Sequence, residues 1–401
     1  MPGRIEFLSI IFTMIYDFDH PPDRRNSECY KWQTYGSEII PMWVADMDFP
    51  SPQPVIQALV ERAQHGVFGY PRGLYGRPDE LTELRQVVVE RLARQYNWQV
   101  EPEALFFIPG VVTAVNLASL AFACPDGILV QTPVYPPILI AGRTTGAISQ
   151  EMELTRLADG SYIVDWDRFE AAITSNTRLF VLCNPHNPVG RVFRRDELER
   201  FAEICLRHRV VICSDEIHCD LLYSGHRHIP IASLDPEIAA QTVTLIAPSK
   251  TFNLAGLQFS IAIIQSEVLR KQFLAARKGV VPWVNLMGIV AAKAAYSAGQ
   301  DWLDQLLIYL EGNRDLLHKS IAQDFPLIGM GPVEGTYLAW LDCRKTGIEG
   351  NPYQFFLDKA RLAFNDGATF GKGGDGFIRF NFGCSRNLLE ETLLRMKQAF
   401  R

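Results

Sequence analysis

The sequence predicts an α/β protein built on a mainly parallel sheet with helices on both faces. Strand-like apolar runs at about 104–108, 127–132, 178–183, 209–214, 242–247 and 259–265 alternate with helical stretches such as Arg194 to Arg207. Strands separated by helices need crossover connections, which cover both faces of a sheet. The chain has 401 residues, 48% of them apolar and 21% charged, enough for a large core and more than one lobe. Asp301 to Asp324 reads as a long amphipathic helix, with Trp302, Leu306, Leu310 and Leu317 near helical spacing, and a strand-rich segment follows it.

In chain order, Leu105-Phe-Phe-Ile-Pro-Gly110 reads as a strand and a glycine turn, then the first turn of an apolar helix. The amides of Val112 and Thr113 can cradle a phosphate there, helped by the helix dipole, although a glycine before a helix is common. Tyr135 follows the run Ile128-Leu-Val-Gln131 between flanking prolines. An aromatic so placed can lie flat on a ring, and a core tyrosine reads equally well. The run Arg178 to Cys183 leads into Asn184-Pro-His-Asn187-Pro-Val-Gly190, which must be a rigid turn. Asn187 can donate a hydrogen bond from it, while Asn184 can satisfy the turn itself.

The next run ends in Ser214-Asp215-Glu-Ile-His218, so a carboxylate stands at a strand end, either to hold a ring nitrogen protonated or as the N-cap of a following helix. Lys250 lies in Ala247-Pro-Ser-Lys-Thr-Phe-Asn-Leu-Ala-Gly256, directly after the apolar, β-branched run Thr242 to Ile246. A lysine amine attacks an aldehyde only when unprotonated, and burial or a cationic neighbour lowers its pKa toward the working range. Near the C-terminus, Gly376-Phe-Ile-Arg379-Phe-Asn-Phe-Gly383 places an arginine mid-strand. Its planar fork suits a carboxylate, and Phe377 and Asn381 share its face.

Net charge is −6 with no basic run, which argues against nucleic acid or an anionic membrane as partner. The apolar run Phe7 to Ile15 is too short to span a bilayer. It is followed by Asp17, Asp19 and Asp23 rather than a cleavage site, so a cytoplasmic protein is expected. Residues 1–13 read as an extension, either from a start codon assigned too early or as an arm that packs on a partner subunit. Eight cysteines at irregular positions read as reduced thiols. Cys213, His218, Cys219, His226 and His228 fit no standard zinc spacing, so no metal site is expected.

Taken together and in this order, these segments resemble the fold-type I pyridoxal-phosphate enzymes of the class I/II aminotransferase superfamily, from about Tyr16 to the end of the chain. Pro41 to Phe49, Ser214 to His218, Ser249 to Leu257 and Glu334 to Asp342 are similar to one subgroup, the MalY/PatB type of cystathionine β-lyase or C-S lyase. The resemblance implies a large three-layer α/β/α lobe at 50–290 holding pyridoxal 5'-phosphate. A small α+β lobe would comprise residues 291–401, joined by the N-terminal segment 1–49. It also implies Lys250 as the Schiff-base lysine, Asp215 at the pyridine nitrogen, Asn187 and His218 at the ring oxygen, Tyr135 against the ring, and Arg379 on the carboxylate of a small amino-acid substrate. Ser249, Val112 and Thr113 would meet the phosphate, and Tyr70 would reach the phosphate of a neighbouring subunit, making a homodimer.

Aminotransferases carry a phosphate-gripping arginine eight residues after the lysine, where this chain has Gln258, and Ala247 and Pro248 replace the serines often found before it. The phosphate grip must therefore carry less positive charge. The implied activity is α,β-elimination from cystathionine or another S-substituted cysteine to pyruvate, ammonia and a thiol. The alternatives are a class I/II aminotransferase with the same residues, and a regulatory binding protein on the same scaffold, marked by an exposed apolar patch.

Overall fold

The structure is a computed structural model that describes residues 15–71 and 81–401; the extension expected at 1–13 lies outside the described residues. Seven strands build the central sheet: β1 (Leu105–Ile108), β2 (Gly127–Thr132), β3 (Ile148–Glu153), β4 (Thr177–Cys183), β5 (Val211–Asp215), β6 (Thr242–Ile246) and β7 (Ser260–Ile263). Their order is β1-β7-β6-β5-β4-β2-β3. β3, β2, β4, β5 and β6 are parallel neighbours, and β7 runs antiparallel between β6 and β1. The six runs read from sequence are six of these strands, with ends shifted by one or two residues. β3 escaped because its Ile-Ser-Gln-Glu-Met-Glu is a half-exposed edge with only Met152 buried.

β2 and β6 are buried at every position, as expected for strands covered on both faces. Along β4, Leu179, Val181 and Cys183 join the core that includes Val115, Ile128, Val130 and Phe273. Phe180 and Leu182 point the other way, into the core formed with Phe169, Leu198 and Phe201. Helix Arg195–His208 follows β4 and ends at Arg209, a residue with φ 57°. That is why β5 starts at Val211 rather than at 209.

A second sheet takes β8 (Gly329–Met330), β9 (Leu338–Asp342), β10 (Asn365–Asp366) and β11 (Phe377–Asn381) in the antiparallel order β8-β9-β11-β10. Ahead of it runs the long helix Gln300–Asp324, which buries Trp302, Leu306, Leu310 and Leu317 as its spacing predicts. Asn313 breaks that apolar stripe and is buried because its Nδ2 donates to the carbonyls of Phe382 (3.1 Å) and Cys384 (2.8 Å). The N-terminal segment returns to this part of the molecule, Ile40–Pro41 pairing in parallel with Leu362–Ala363. No helix among the described residues is long and apolar enough to cross a membrane.

Candidate active site

The parallel strands end in register, Cys183 beside Asp215 and Asp215 beside Leu245, so the turns after them converge. Ligands bind at this carboxyl edge in open α/β sheets. The turns line a pocket that brings together Val112, Thr113, Tyr135, Asn187, Asp215, His218, Ser249 and Lys250.

Gly110 ends the turn after β1 with φ 91°, a value open to glycine. A Cβ there would lie 3.1 Å from Gln258 Oε1. Helix Val111–Ala118 starts immediately after it, and the first internal bond runs from the Ala114 amide to the Gly110 carbonyl. The amides of Val112 and Thr113 thus stay outside the helical ladder and face the pocket. The Thr113 hydroxyl is already spent on the Pro109 carbonyl (3.0 Å). Tyr135 and Asn187 are tied by the Tyr135 amide, which donates to the Asn187 carbonyl at 3.0 Å.

Lys250 sits in a four-residue helix, Pro248–Thr251, just past β6, and its Nζ donates to the Ala45 carbonyl at 2.6 Å. Burial is the main cause that lowers its pKa to about 8; Arg379 pushes the same way, while Asp46 and Asp215 oppose. Asp215 is the last residue of β5 and accepts one hydrogen bond, from the Ile217 amide at 3.2 Å. No helix follows, so the expected helix N-cap is a turn cap instead, and the carboxyl also lines the pocket. Burial raises its pKa to about 7. His218 is buried with Nδ1 unpartnered, its ring edge-on to Tyr337, and burial holds it well below the usual imidazole range.

Arg379 lies beside the pocket, on β11. It donates to Asn187 Oδ1 (2.9 Å), Asn365 Oδ1 (2.6 Å) and the Trp43 carbonyl (3.1 Å). All three partners are neutral, Nε is unpartnered, and burial brings its pKa down to about 10. Asn381 shares its face, as the strand period requires, and donates to the Val44 and Asp46 carbonyls. Tyr70 is not in this pocket: it is 91% exposed.

A buried carboxyl that makes no close ion pair, a buried guanidinium held only by neutral acceptors and an amine lowered to about 8 form a site with unspent charge. The sign of the Asp215 effect on stability follows from linkage. An unfolded aspartate loses its proton near 3.9, whereas folded Asp215 keeps it to about 7. The ligand-free protein therefore loses stability as pH rises from about 4 to 7. Lys250 acts above that window: folded at about 8 and unfolded near 10.4, it returns stability only as pH rises beyond 8. Asp215→Asn is expected to raise the melting temperature of the ligand-free protein at pH 8 by at least about 2 °C and by clearly less at pH 5, where only the first part of that loss has accrued. Equal gains at both pH values in scanning calorimetry would refute the assignment.

Comparison with known proteins agrees with this architecture. Residues 37–395 match the family model for aminotransferase class I and II. The chain is 38% identical to the cystathionine beta-lyase PatB of Bacillus subtilis over 392 residues, 96% of this chain and 99% of that protein. It superposes on the crystal structure of OvoB with a TM-score of 0.90 at 42% identity, covering 96% and 99% of the two chains. For the pyridoxal-phosphate-bound C-S lyase of Staphylococcus hominis the TM-score is 0.89 at 31% identity, over 97% and 99%. The fold is that of the fold-type I pyridoxal-phosphate enzymes. Within that class, the chain belongs to the class I and II aminotransferase family.

Three contributors to the site escaped the reading from sequence. The Ala45 carbonyl accepts from both Lys250 and the Tyr337 hydroxyl (2.8 Å), the Trp43 carbonyl holds Arg379, and Asn365 braces the same guanidinium. Two of these are backbone oxygens with no side-chain signature. Asn365 lies on a two-residue strand too short to show a period.

Proposed function

We propose that this protein is a pyridoxal 5'-phosphate-dependent carbon-sulfur β-lyase that cleaves L-cystathionine or a related S-substituted cysteine to pyruvate, ammonia and a thiol. The observation that carries the reading is the buried amine of Lys250, at about 8, in one pocket with the cation-free carboxylate of Asp215. The resemblance to a cystathionine beta-lyase over nearly the whole chain supports it.

The pocket's unspent groups fit the cofactor. Asp215 would pair with its ring nitrogen. Asn187 Oδ1 accepts from Arg379, which leaves its NH2 for the ring oxygen, and His218 would meet the same oxygen. The amides of Val112 and Thr113 and the Ser249 hydroxyl would hold the phosphate, and Tyr135 would cover the ring. When bound, the cofactor supplies an electron sink for the pair left behind as a bond to the substrate's Cα breaks.

Arg379 then binds the substrate carboxylate with its planar fork. Lys250 removes the Cα proton, a task suited to an amine whose pKa lies near the working pH, and the thiolate departs from Cβ. The same residues would serve an aminotransferase, which differs in where Lys250 delivers its proton and in requiring a keto acid.

The test is pyruvate release from L-cystathionine by the purified protein with no keto acid added. Many turnovers, with matching ammonia and homocysteine, are expected. Amino transfer without pyruvate would replace this reading with the aminotransferase. Arg379→Ala is expected to weaken substrate binding by about 1.5–3 kcal/mol, seen as roughly a 10- to 150-fold loss in kcat/KM. An unchanged kcat/KM would remove Arg379 from the carboxylate.

We further infer a homodimer in which Tyr70 completes the neighbouring site. Val67, Phe68 and Tyr70 are exposed, and Phe68 and Tyr70 line an apolar hollow with Trp283, Leu286 and Met287, a surface suited to a second copy. Sedimentation giving a monomer at working concentration would count against it. Residues 50–290 would form the cofactor-binding domain, with 1–49 and 291–401 making the small one. The eight unpaired cysteines fit a reducing cytoplasm.

A further inference from the structure

We propose that Asp220 is a positioning residue for Lys250: through the hydroxyl of Thr251, its carboxylate fixes the turn that carries the amine against the turn that carries Asp215 and His218. The proposal rests on the reading of Lys250 as the reacting amine.

The need for such a tie follows from the local structure. A helix of four residues cannot hold its own orientation, and Pro248–Thr251 has only that length. Its direction must come from tertiary contacts. Thr251, the residue after Lys250, is fully buried and donates its hydroxyl to Asp220 Oδ2 at 2.9 Å.

Asp220 in turn is rigidly joined to the strand end. The Cys219 amide donates to the Glu216 carbonyl (3.0 Å) and the Leu221 amide to the His218 carbonyl (2.9 Å), so the segment from Asp215 to Asp220 is one folded turn. The other oxygen, Oδ1, accepts from Arg91 Nη2 (2.8 Å) and the Tyr96 hydroxyl (2.7 Å). Arg91 is itself fixed, donating to Gln300 Oε1 at 2.9 Å and lying 5.7 Å from the ring centre of Phe252, the residue after Thr251. The Arg91 charge and these hydrogen bonds keep Asp220 ionised below the usual carboxylate range despite its burial. One carboxylate therefore joins three elements, while lying outside the pocket lining. It acts on the chemistry only through the groups it holds.

The experiment uses Thr251→Val, which removes the hydroxyl and leaves the Arg91–Asp220 pair intact, with Thr251→Ser as the conservative control. Displacing a reacting group by about 1 Å costs on the order of 100-fold. For Thr251→Val we expect kcat for pyruvate release to fall by about 10- to 100-fold with KM within about twofold. Cofactor-free Thr251→Val should also regain the visible absorption band more slowly when mixed with pyridoxal phosphate. Thr251→Ser should restore both rates, and Asp220→Asn should reproduce the loss with a lower melting temperature, since Arg91 loses its carboxylate partner.

Wild-type kcat and band recovery in Thr251→Val would overturn the proposal, whatever happens to the melting temperature. So would a serine variant as impaired as the valine one. Should the wild-type protein release no pyruvate, the lyase reading falls, while the band-recovery rates still decide the role of Asp220.

Discussion

Lys250→Ala is expected to fold, to remain colourless when mixed with pyridoxal phosphate, and to lose pyruvate release by about 10⁴-fold or more. Two proposed roles would end together in this variant, attachment of the cofactor and removal of the Cα proton. The structure gives no reason for the fold to suffer. Nζ makes one hydrogen bond, to the Ala45 carbonyl, and that oxygen keeps the Tyr337 hydroxyl as a partner. The buried amine is lowered to about 8, so at neutral pH it costs the folded state the difference from an unfolded lysine near 10.4. Removing it should leave the ligand-free protein at least as stable as wild type. Absorbance spectra, a pyruvate assay and a thermal melt check the three statements, and substantial turnover would remove the entire site assignment.

Asp215→Asn is the second large effect. The amide fits the same space and can still accept from the Ile217 amide, but it cannot pair with a protonated ring nitrogen. Breaking a buried charge pair by removing one partner costs about 3–5 kcal/mol, which at 1.36 kcal/mol per decade is a loss in kcat of roughly two to three and a half orders of magnitude. The cofactor should still attach, because Lys250 is intact, and KM should change little, because Arg379 is untouched. The same substitution that stabilises the ligand-free protein at pH 8 thus disables it, the opposition expected where a site stores an unfavourable charge for use in the reaction. A variant with wild-type kcat would show that the carboxylate does not serve the ring.

The strand ends were the legible part of this molecule. Ile108, Cys183, Asp215 and Ile246 each close an apolar run, and Gly110, Asn187, Asp215 and Lys250 stand at those ends or within four positions of them. The period of the runs locates these positions, while the roles expected of them come from the family resemblance. β3 was hidden by its polar edge, and β7 was seen but its direction was not, since a run of residues carries no sign of which way it points.

Pairings across the fold were not legible at all. Asp220 reaches Arg91 over 129 residues, and neither differs locally from an ordinary surface charge. Tyr337 and the Ala45 carbonyl meet over 292 residues, and one of the two partners is backbone. Arg379 stood out in its strand, but nothing in the sequence hinted that Asn187, Asn365 and Trp43 would hold it.

The carbonyls of residues 43–46 receive Arg379 and Asn381 across 336, 337 and 335 residues of chain, while Ile40–Pro41 pairs with Leu362–Ala363. During synthesis the part that leaves the ribosome early must wait for nearly the last part to be made before its backbone oxygens find their donors. Contacts of such long range form late and slowly. The carbonyls of Trp43, Val44 and Asp46 therefore stay without these donors until Arg379 and Asn381 have been made. A chain that stops before Arg379 lacks the donors of this wall, as one that starts after Asp46 lacks its acceptors.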